Sequence, residues 1–386
     1  TGVYNRIGSE GLDAISLAQK HLGDSVKIKI FDTMGVKSNI YKIHSQIESE
    51  GFDVIIGPLF NFETKELAGL ESKLPIISLS NDASIKQNNV LIFGLNANDN
   101  IKDPVSFLAN LDKKNIMAIF PNSTHGAKQY KVFKESAGQN RSNIMRVEFY
   151  DDTGISDISR YTSKILNGLT QKEYISKKDG KAVSERSVKE QEKITPNFVV
   201  TDFYEIKDVK AEVIFVYASG SKSTEIAEIL NRPGNREKLQ GVSVVMLDFD
   251  FYNKNLRTYN NMFFYANSYP KFKKFSEDTY EANGYAPTKL SAILFDAIFY
   301  AVYVNNQSFG GIGARKMHTE YEGFNGVMGS FTVKNNYVRR NGRMMFIQEG
   351  SVKELGGFEA GLEKSSKNLL DKNIDADINY LNEDFD

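Results

Sequence analysis

Short runs of consecutive apolar residues recur along this chain, and each is followed by a segment with helical spacing. Asp53–Ile56 (DVII), Pro75–Leu79 (PIISL), Ile116–Phe120 (IMAIF), Val213–Tyr217 (VIFVY) and Val242–Leu247 (VSVVML) carry apolar side chains on neighbouring positions rather than on alternate ones. A strand that is apolar on both sides is buried on both faces, which is the environment of a parallel sheet covered by helices. The helical segments between them include Lys37–Glu50, with Ile40, Ile43 and Ile47 on one face, and then Glu63–Lys73, Pro104–Leu111, Ala127–Ala137, Ile158–Leu169 and Thr224–Leu230. Strands alternating with helices predict an α/β fold with doubly wound parallel sheets and right-handed crossovers.

The alternation falls into two series. The first runs to Leu95 and includes Val26–Phe31 (VKIKIF), whose apolar–lysine alternation predicts a strand exposed on one side. A polar link, Asn96–Asn100, leads into the second. With 386 residues the chain exceeds one ordinary domain. The prediction is two Rossmann-like lobes joined by a hinge: residues 1–96 with about 270–325, and residues 97–265 with about 326–364. Residues 171–195, dense in Lys, Glu and Ser, are predicted to be a charged, solvated insertion, with docking of a partner as the functional alternative. Residues 365–386 are polar and acidic, and the expectation is a peripheral tail.

Several function classes are disfavoured. A net charge of −1 gives no global attraction to nucleic acid. The absence of cysteine removes disulfides, thiolate metal sites and a cysteine nucleophile. His21, His44, His125 and His318 are scattered, so no metal site is predicted. There is no phosphate loop, dinucleotide fingerprint or nucleophile elbow, so neither a cofactor nor an enzymatic activity is predicted. Asp248 and Asp250 follow a strand as the metal-binding pair of nucleotide-sugar transferases does, but two acids after a strand are common.

An ordered set of motifs carries a resemblance. Phe31–Gly35 (FDTMG), Asp53–Phe60 (DVIIGPLF), Leu74–Asp82 (LPIISLSND), Pro121–Gly126 (PNSTHG), Val147–Asp151 (VEFYD), Gly284–Pro287 (GYAP) and Phe324–Phe331 (FNGVMGSF) together resemble the type I periplasmic binding proteins. Within them, IIGPLF and SLSND are most similar to the penicillin-binding-protein activators, envelope lipoproteins that stimulate peptidoglycan synthases. The resemblance implies a non-enzymatic protein of the bacterial periplasm, outer-membrane-anchored by lipid, whose partner is a peptidoglycan synthase. The alternative it implies is a solute-binding subunit like the leucine/isoleucine/valine-binding proteins, with an ABC permease as partner and a small polar ligand in the interlobe cleft. Members of this fold open with a central strand just before a Thr-Gly like Thr1-Gly2. That strand is missing here and would leave unpaired backbone groups. The expectation is that the natural protein extends upstream of Thr1, with a signal peptide and a lipidated cysteine, or that another chain supplies the strand.

Open α/β sheets bind ligands at the carboxyl ends of their strands. The loops there are Phe60–Glu63, Ser80–Ala83, Ser123–Gly126, Ala218–Ser221 and Asp248–Phe251. They make Asn61, Phe62, Ser80, Asn81, Asp82, His125, Ser219, Asp248 and Asp250 the candidate ligand-binding residues. In the amino-acid binders the loop aligned with Ser80–Asp82 offers a hydroxyl and backbone N–H groups to a carboxylate. Asp82 stands at the hydroxyl position and would repel one. Asp248 or Asp250 lies where an acid would hold an ammonium group. The plainer alternative is that Ser80, Asn81 and Asp82 cap a following helix, and that His125 is a loop histidine.

Overall fold

The structure is a computed structural model that describes residues 5–357 except 71, 73, 83, 86–88, 97, 152–156, 196–197, 248–254, 267–269 and 308–320. The chain divides into two compact units, residues 1–100 with 266–343, and residues 101–265 with 344–386. The first stretch of unit 1 runs α1 (Asn5–Leu22), α2 (Lys37–Glu50), β1 (Ile55–Ile56), α3 (Asn61–Ala68), β2 (Ile76–Ser78) and β3 (Val90–Ile92). Helix α4 (Asp99–Asn110) carries the chain from one unit to the next.

Unit 2 then alternates as β4 (Asn115–Pro121), α5 (Thr124–Gln139), β5 (Asn143–Tyr150) and α6 (Ile158–Leu166). It resumes after an insertion with β9 (Val213–Tyr217), α9 (Gly220–Leu230), α10 (Pro233–Lys238), β10 (Ser243–Leu247) and β11 (Phe263–Ala266). Unit 1 is completed by α11 (Pro270–Asn283), α12 (Lys289–Gln307), β12 (Tyr321–Gly326), β13 (Gly329–Lys334) and β14 (Tyr337–Arg340). Strands β15 (Arg343–Gln348) and β16 (Ser351–Gly357) return to the sheet of unit 2.

The sheet of unit 1 has the order β1-β2-β3-β14-β13-β12, parallel from β1 to β14. That of unit 2 has the order β16-β15-β11-β10-β9-β4-β5, parallel from β11 to β5. All five residues of β9 and of β10 are buried, as consecutive apolar side chains require. In unit 2, Phe120 on β4 meets Phe133 of α5 at 5.4 Å between ring centroids and Tyr217 of β9 at 5.6 Å, so aromatic packing fixes helix against sheet.

Three expectations are corrected. Val26–Phe31 takes no strand pairing and is left out of the sheet. The expected boundary near residue 326 moves to 343, because β14 pairs with β3 (Tyr337 beside Ile92) and draws the β12–β14 meander into unit 1. Strands β12 and β13 form a hairpin that turns at Val327 and Met328 and re-enters the sheet at Gly329, whose φ of 88° favours glycine. Residues 171–195 are not a bare loop. They belong to a three-stranded antiparallel sheet, β6 (Thr170–Ser176), β7 (Ala182–Val183) and β8 (Tyr204–Lys210), with α7 (Glu185–Ile194) and α8 (Val200–Phe203). Val188 and Tyr204 are buried there, and the Tyr204 hydroxyl donates to Gln191 Oε1 at 2.6 Å.

A buried charged group ties the late strands of unit 1 to its helices. Asp296 of α12 is 1% exposed and accepts the backbone N–H groups of Val327 (2.7 Å) and Met328 (3.0 Å) at the β12–β13 turn. A Cβ at Gly326 would lie 2.3 Å from the Asp296 carboxyl carbon, so this close approach admits only glycine. Arg340 of β14 lies over the Phe93 and Phe331 rings, 4.9 and 5.7 Å from their centroids, and donates to Phe93 O at 2.8 Å. Burial pushes the Asp296 carboxyl up to about 6, against the pull of Arg340 and the two N–H groups. Because this carboxyl titrates above its ordinary value of 3.8, the folded state holds a proton that the unfolded chain has released. The stability it contributes is complete below pH 3.8 and is lost as pH rises through about 6. Urea unfolding across this window should show that fall in the wild type and a flatter profile in Asp296→Asn; an equal fall in both would assign the effect elsewhere. Gly326→Ala should cost about 1–3 kcal/mol by overpacking, read in the same experiment.

Candidate functional site

The loops at the carboxyl ends of the strands hold the sequence-predicted residues, and each unit carries its own set. In unit 1, the Ser80 hydroxyl is buried, donates to Asn61 Oδ1 at 2.6 Å and accepts the Asp82 N–H at 3.0 Å. Beneath them Ser78 and Thr64 share a hydrogen bond of 2.7 Å, which locks the first turn of α3 onto β2. A Cβ at Gly94 would meet Ser80 O at 2.3 Å, so the chain after β3 also presses on this loop. Asn61 and Ser80 are thereby spent on each other, and Ser80 is a framework group rather than an open donor.

Asp82 is not the cap of a helix, since no helix follows it among the described residues up to β3. Its Oδ1 accepts the Ser84 N–H (3.0 Å) and hydroxyl (2.5 Å), and Lys65 stands 3.5 Å from Oδ2. The Ser84 hydroxyl, ahead of Lys65, holds the Asp82 carboxyl below its ordinary value, so it is ionised at neutral pH. Asn81 is exposed, and Phe62 is 43% exposed and stacks on Phe60 with 5.8 Å between centroids.

In unit 2, the neighbouring strands β4 and β9 present the corresponding loops. Ser123 caps α5, accepting the Gly126 N–H at 3.1 Å. A Cβ at Gly126 would fall 2.0 Å from Pro121 O, so the glycine lets helix and strand end come together. His125 is exposed, and its Nε2 lies 2.9 Å from the Tyr217 hydroxyl at the end of β9. Burial raises the Tyr217 phenol well above its ordinary value, so it stays neutral and able to donate. Ser219 is exposed at the start of α9 and makes no capping bond. Asp248 and Asp250 lie outside the described residues.

Sequence reasoning missed two groups. Tyr217 reads as the last core residue of an apolar run, and nothing in the run signals that its hydroxyl reaches His125. Glu63, at the first turn of α3, is 2% exposed, and its Oε1 has no hydrogen-bond partner among the described residues. Its place in an Asn-Phe-Glu helix start, where an acid favours the dipole, made it look like an ordinary first-turn residue. The described groups can donate and accept hydrogen bonds. They include no set of three or more His, Asp or Glu side chains able to hold a metal ion. Ser80→Ala should destabilise unit 1 by about 1–3 kcal/mol, because it strands the Asn61 carbonyl and the Asp82 N–H. Asn81→Ala should stay within about 0.5 kcal/mol of the wild type. Chemical denaturation checks both, and equal effects would contradict the division of roles.

Comparison with known proteins gives the family. A model described as "LppC putative lipoprotein" matches residues 3–261, more than half of the chain. A "Penicillin-binding protein activator LpoA" from Dickeya chrysanthemi is 24% identical over 122 residues, 31% of this chain and 18% of that protein. The protein of the same name from Escherichia coli K12 is 24% identical over 112 residues, 29% of this chain and 16% of that protein. The chain thus matches less than a fifth of the length of these curated relatives. Among solved structures, a "putative branched-chain amino acid ABC transporter" from Rhodospirillum rubrum superposes with a TM-score of 0.67 at 11% identity, covering 92% of this chain and 96% of that one. LpoA of Haemophilus influenzae superposes with a TM-score of 0.62 at 13% identity, covering 92% of this chain and 57% of that one. The fold is that of the type I periplasmic binding proteins, as the motif order predicted. With two α/β units, strand-end loops built as described and a family match over most of both, the chain belongs to the LppC lipoprotein family.

Proposed function

We propose that this chain is a non-enzymatic domain of an envelope lipoprotein that docks on a penicillin-binding protein and activates its peptidoglycan synthesis. The family match over residues 3–261, whose curated relatives are named activators, carries the reading. The site chemistry supports it. In unit 1 the hydroxyl and amide that would grip a small solute are paired with each other, and the loop beside them holds an ionised Asp82. Such a loop is poorly suited to an amino-acid carboxylate.

A second reading, a solute receptor of a transporter, is favoured by the Rhodospirillum rubrum fold match over nearly the whole of both chains. A melting-shift screen separates the two. A solute present at about 100 times its Kd adds about 2.7 kcal/mol, a shift of about 5–11 °C for units of this size. No such shift is expected across amino acids and aromatic acids, and one reproducible shift would replace the activator reading.

Recognition by surface needs a face, and the inserted sheet of unit 2 offers one. Ile194, Val199 and Phe203, all within the β7–β8 connection, are 79%, 50% and 54% exposed. Large apolar side chains left this open are the usual signature of a docking surface. The natural protein, added to a purified synthase from the same organism, should raise its glycan polymerisation or cross-linking rate. Phe203→Glu and Ile194→Glu should each weaken capture of the synthase by about tenfold, the scale of an interface hot spot. A synthase neither bound nor stimulated by the wild type would overturn the proposal; unchanged capture by both variants would move the docking face elsewhere.

A further inference from the structure

The three-stranded sheet inserted in unit 2 has the order β7-β6-β8, so β8 lies at its edge. Residues 205–208 of β8 are all exposed, and the strand pairs with nothing beyond β6 among the described residues. The pairing with β6 is antiparallel, with Tyr174 beside Ile206 and Glu173 beside Lys207. Hydrogen bonds at its two ends fix which peptide groups are used. Lys177 N–H donates to Phe203 O at 2.9 Å, and Ala211 N–H donates to Leu169 O at 2.7 Å. Antiparallel bonding alternates along a strand, so Glu205, Lys207 and Val209 turn their N–H and C=O groups to β6. Ile206 and Asp208 turn both groups outward. Tyr204 turns out its carbonyl, while its N–H donates back to Val200 O. An open row of this kind is a template for another strand.

Charges on an edge ordinarily repel a second copy laid against it. The order of side chains on β8 does the reverse. Glu205 and Lys207 flank Ile206 on one face of the sheet, 3.3 Å apart, with side chains 56% and 53% exposed. A two-fold axis through Ile206 lays the strand antiparallel on a copy of itself. Glu205 then falls opposite the second copy's Lys207, and Lys207 opposite its Glu205, so each charge meets its opposite. Ile206, 36% exposed, meets its own copy as a pair that exchanges both N–H···O bonds. On either side of it, Asp208 N–H of one copy reaches Tyr204 O of the other. Neighbouring registers fail. An axis through Glu205 sets that acid against itself, and an axis through Lys207 sets two ammonium groups together. A slip of one residue faces outward peptide groups with inward ones.

We propose that β8 pairs antiparallel with β8 of a second copy of this chain, joining two inserted sheets into one of order β7-β6-β8-β8-β6-β7. The interface is isologous, so it closes as a dimer and leaves no open edge at β8. Self-pairing goes beyond the docking reading, and its test contains no synthase.

Sedimentation of the natural protein over a dilution series should show a reversible dimer. Glu205→Lys and Lys207→Glu should each raise the dimer dissociation constant by about tenfold or more, because symmetry turns both ion pairs into like-charge pairs at once. The double variant Glu205→Lys/Lys207→Glu restores opposite charges in reverse order and should recover most of the association. The sequence has no cysteine, so single cysteines report the register. On oxidation Ile206→Cys should cross-link two copies, since a hydrogen-bonded antiparallel pair has Cα atoms about 5.5 Å apart. Glu205→Cys and Lys207→Cys should cross-link when mixed, and far more slowly when alone. A monomer throughout the series, with Ile206→Cys cross-linking no faster than Glu205→Cys, would overturn the proposal and leave the edge to a strand of another protein. A dimer that both single charge variants leave intact, or a double variant no better than either, would overturn it equally.

Discussion

Peptide groups inside a parallel sheet covered by helices meet no water, so every one of them needs a partner on the next strand. That requirement organises both units. It aligns β11-β10-β9-β4-β5 in unit 2 and β1-β2-β3-β14 in unit 1. Residues 26–31 have the composition of a strand but take no strand pairing among the described residues, and they line a cavity together with β1.

The same geometry delivers the loops that matter for function. Helix starts at the carboxyl ends of strands need their first N–H groups satisfied; in unit 2 Ser123 and Asp157 do this for α5 and α6, whereas in unit 1 α3 has no side-chain cap and the short polar side chains bond within the loops. In unit 1 the result is a closed network of Thr64, Ser78, Ser80, Asn61 and Asp82, with its hydroxyls consumed internally. In unit 2 the His125–Tyr217 contact joins one loop to the neighbouring strand. Loops saturated from within are rigid supports more than solute grips, which accords with a protein that acts through its surface.

Much of this was legible in the residues, for a definite reason. Val213–Tyr217 and Ser243–Leu247 are buried on both faces, so consecutive apolar residues announced them. Val26–Phe31 showed a strand's pattern, but pairing depends on a neighbour that no pattern within the segment can reveal. The insertion was hidden because its core is small: Val188 and Tyr204 anchor it, while charged residues dominate its composition. Strand β14 was missed because Tyr-Val-Arg-Arg looks like surface, yet Arg340 is buried against Phe93 and Phe331. Asp296 reads as a polar interruption of an apolar helix. Only the fold shows that it receives two backbone N–H groups from a hairpin more than thirty residues away. In the candidate site, the His125–Tyr217 pair spans 92 residues and leaves no local trace.

Hydrogen exchange at the amides of Asp82 and Ser84 tests the closed network of unit 1 most directly. Internal pairing predicts exchange well slower than at the amide of Asn81 and unchanged by added amino acids. Exchange at Asp82 as fast as at Asn81, or protection that rises with an added solute, would contradict the account.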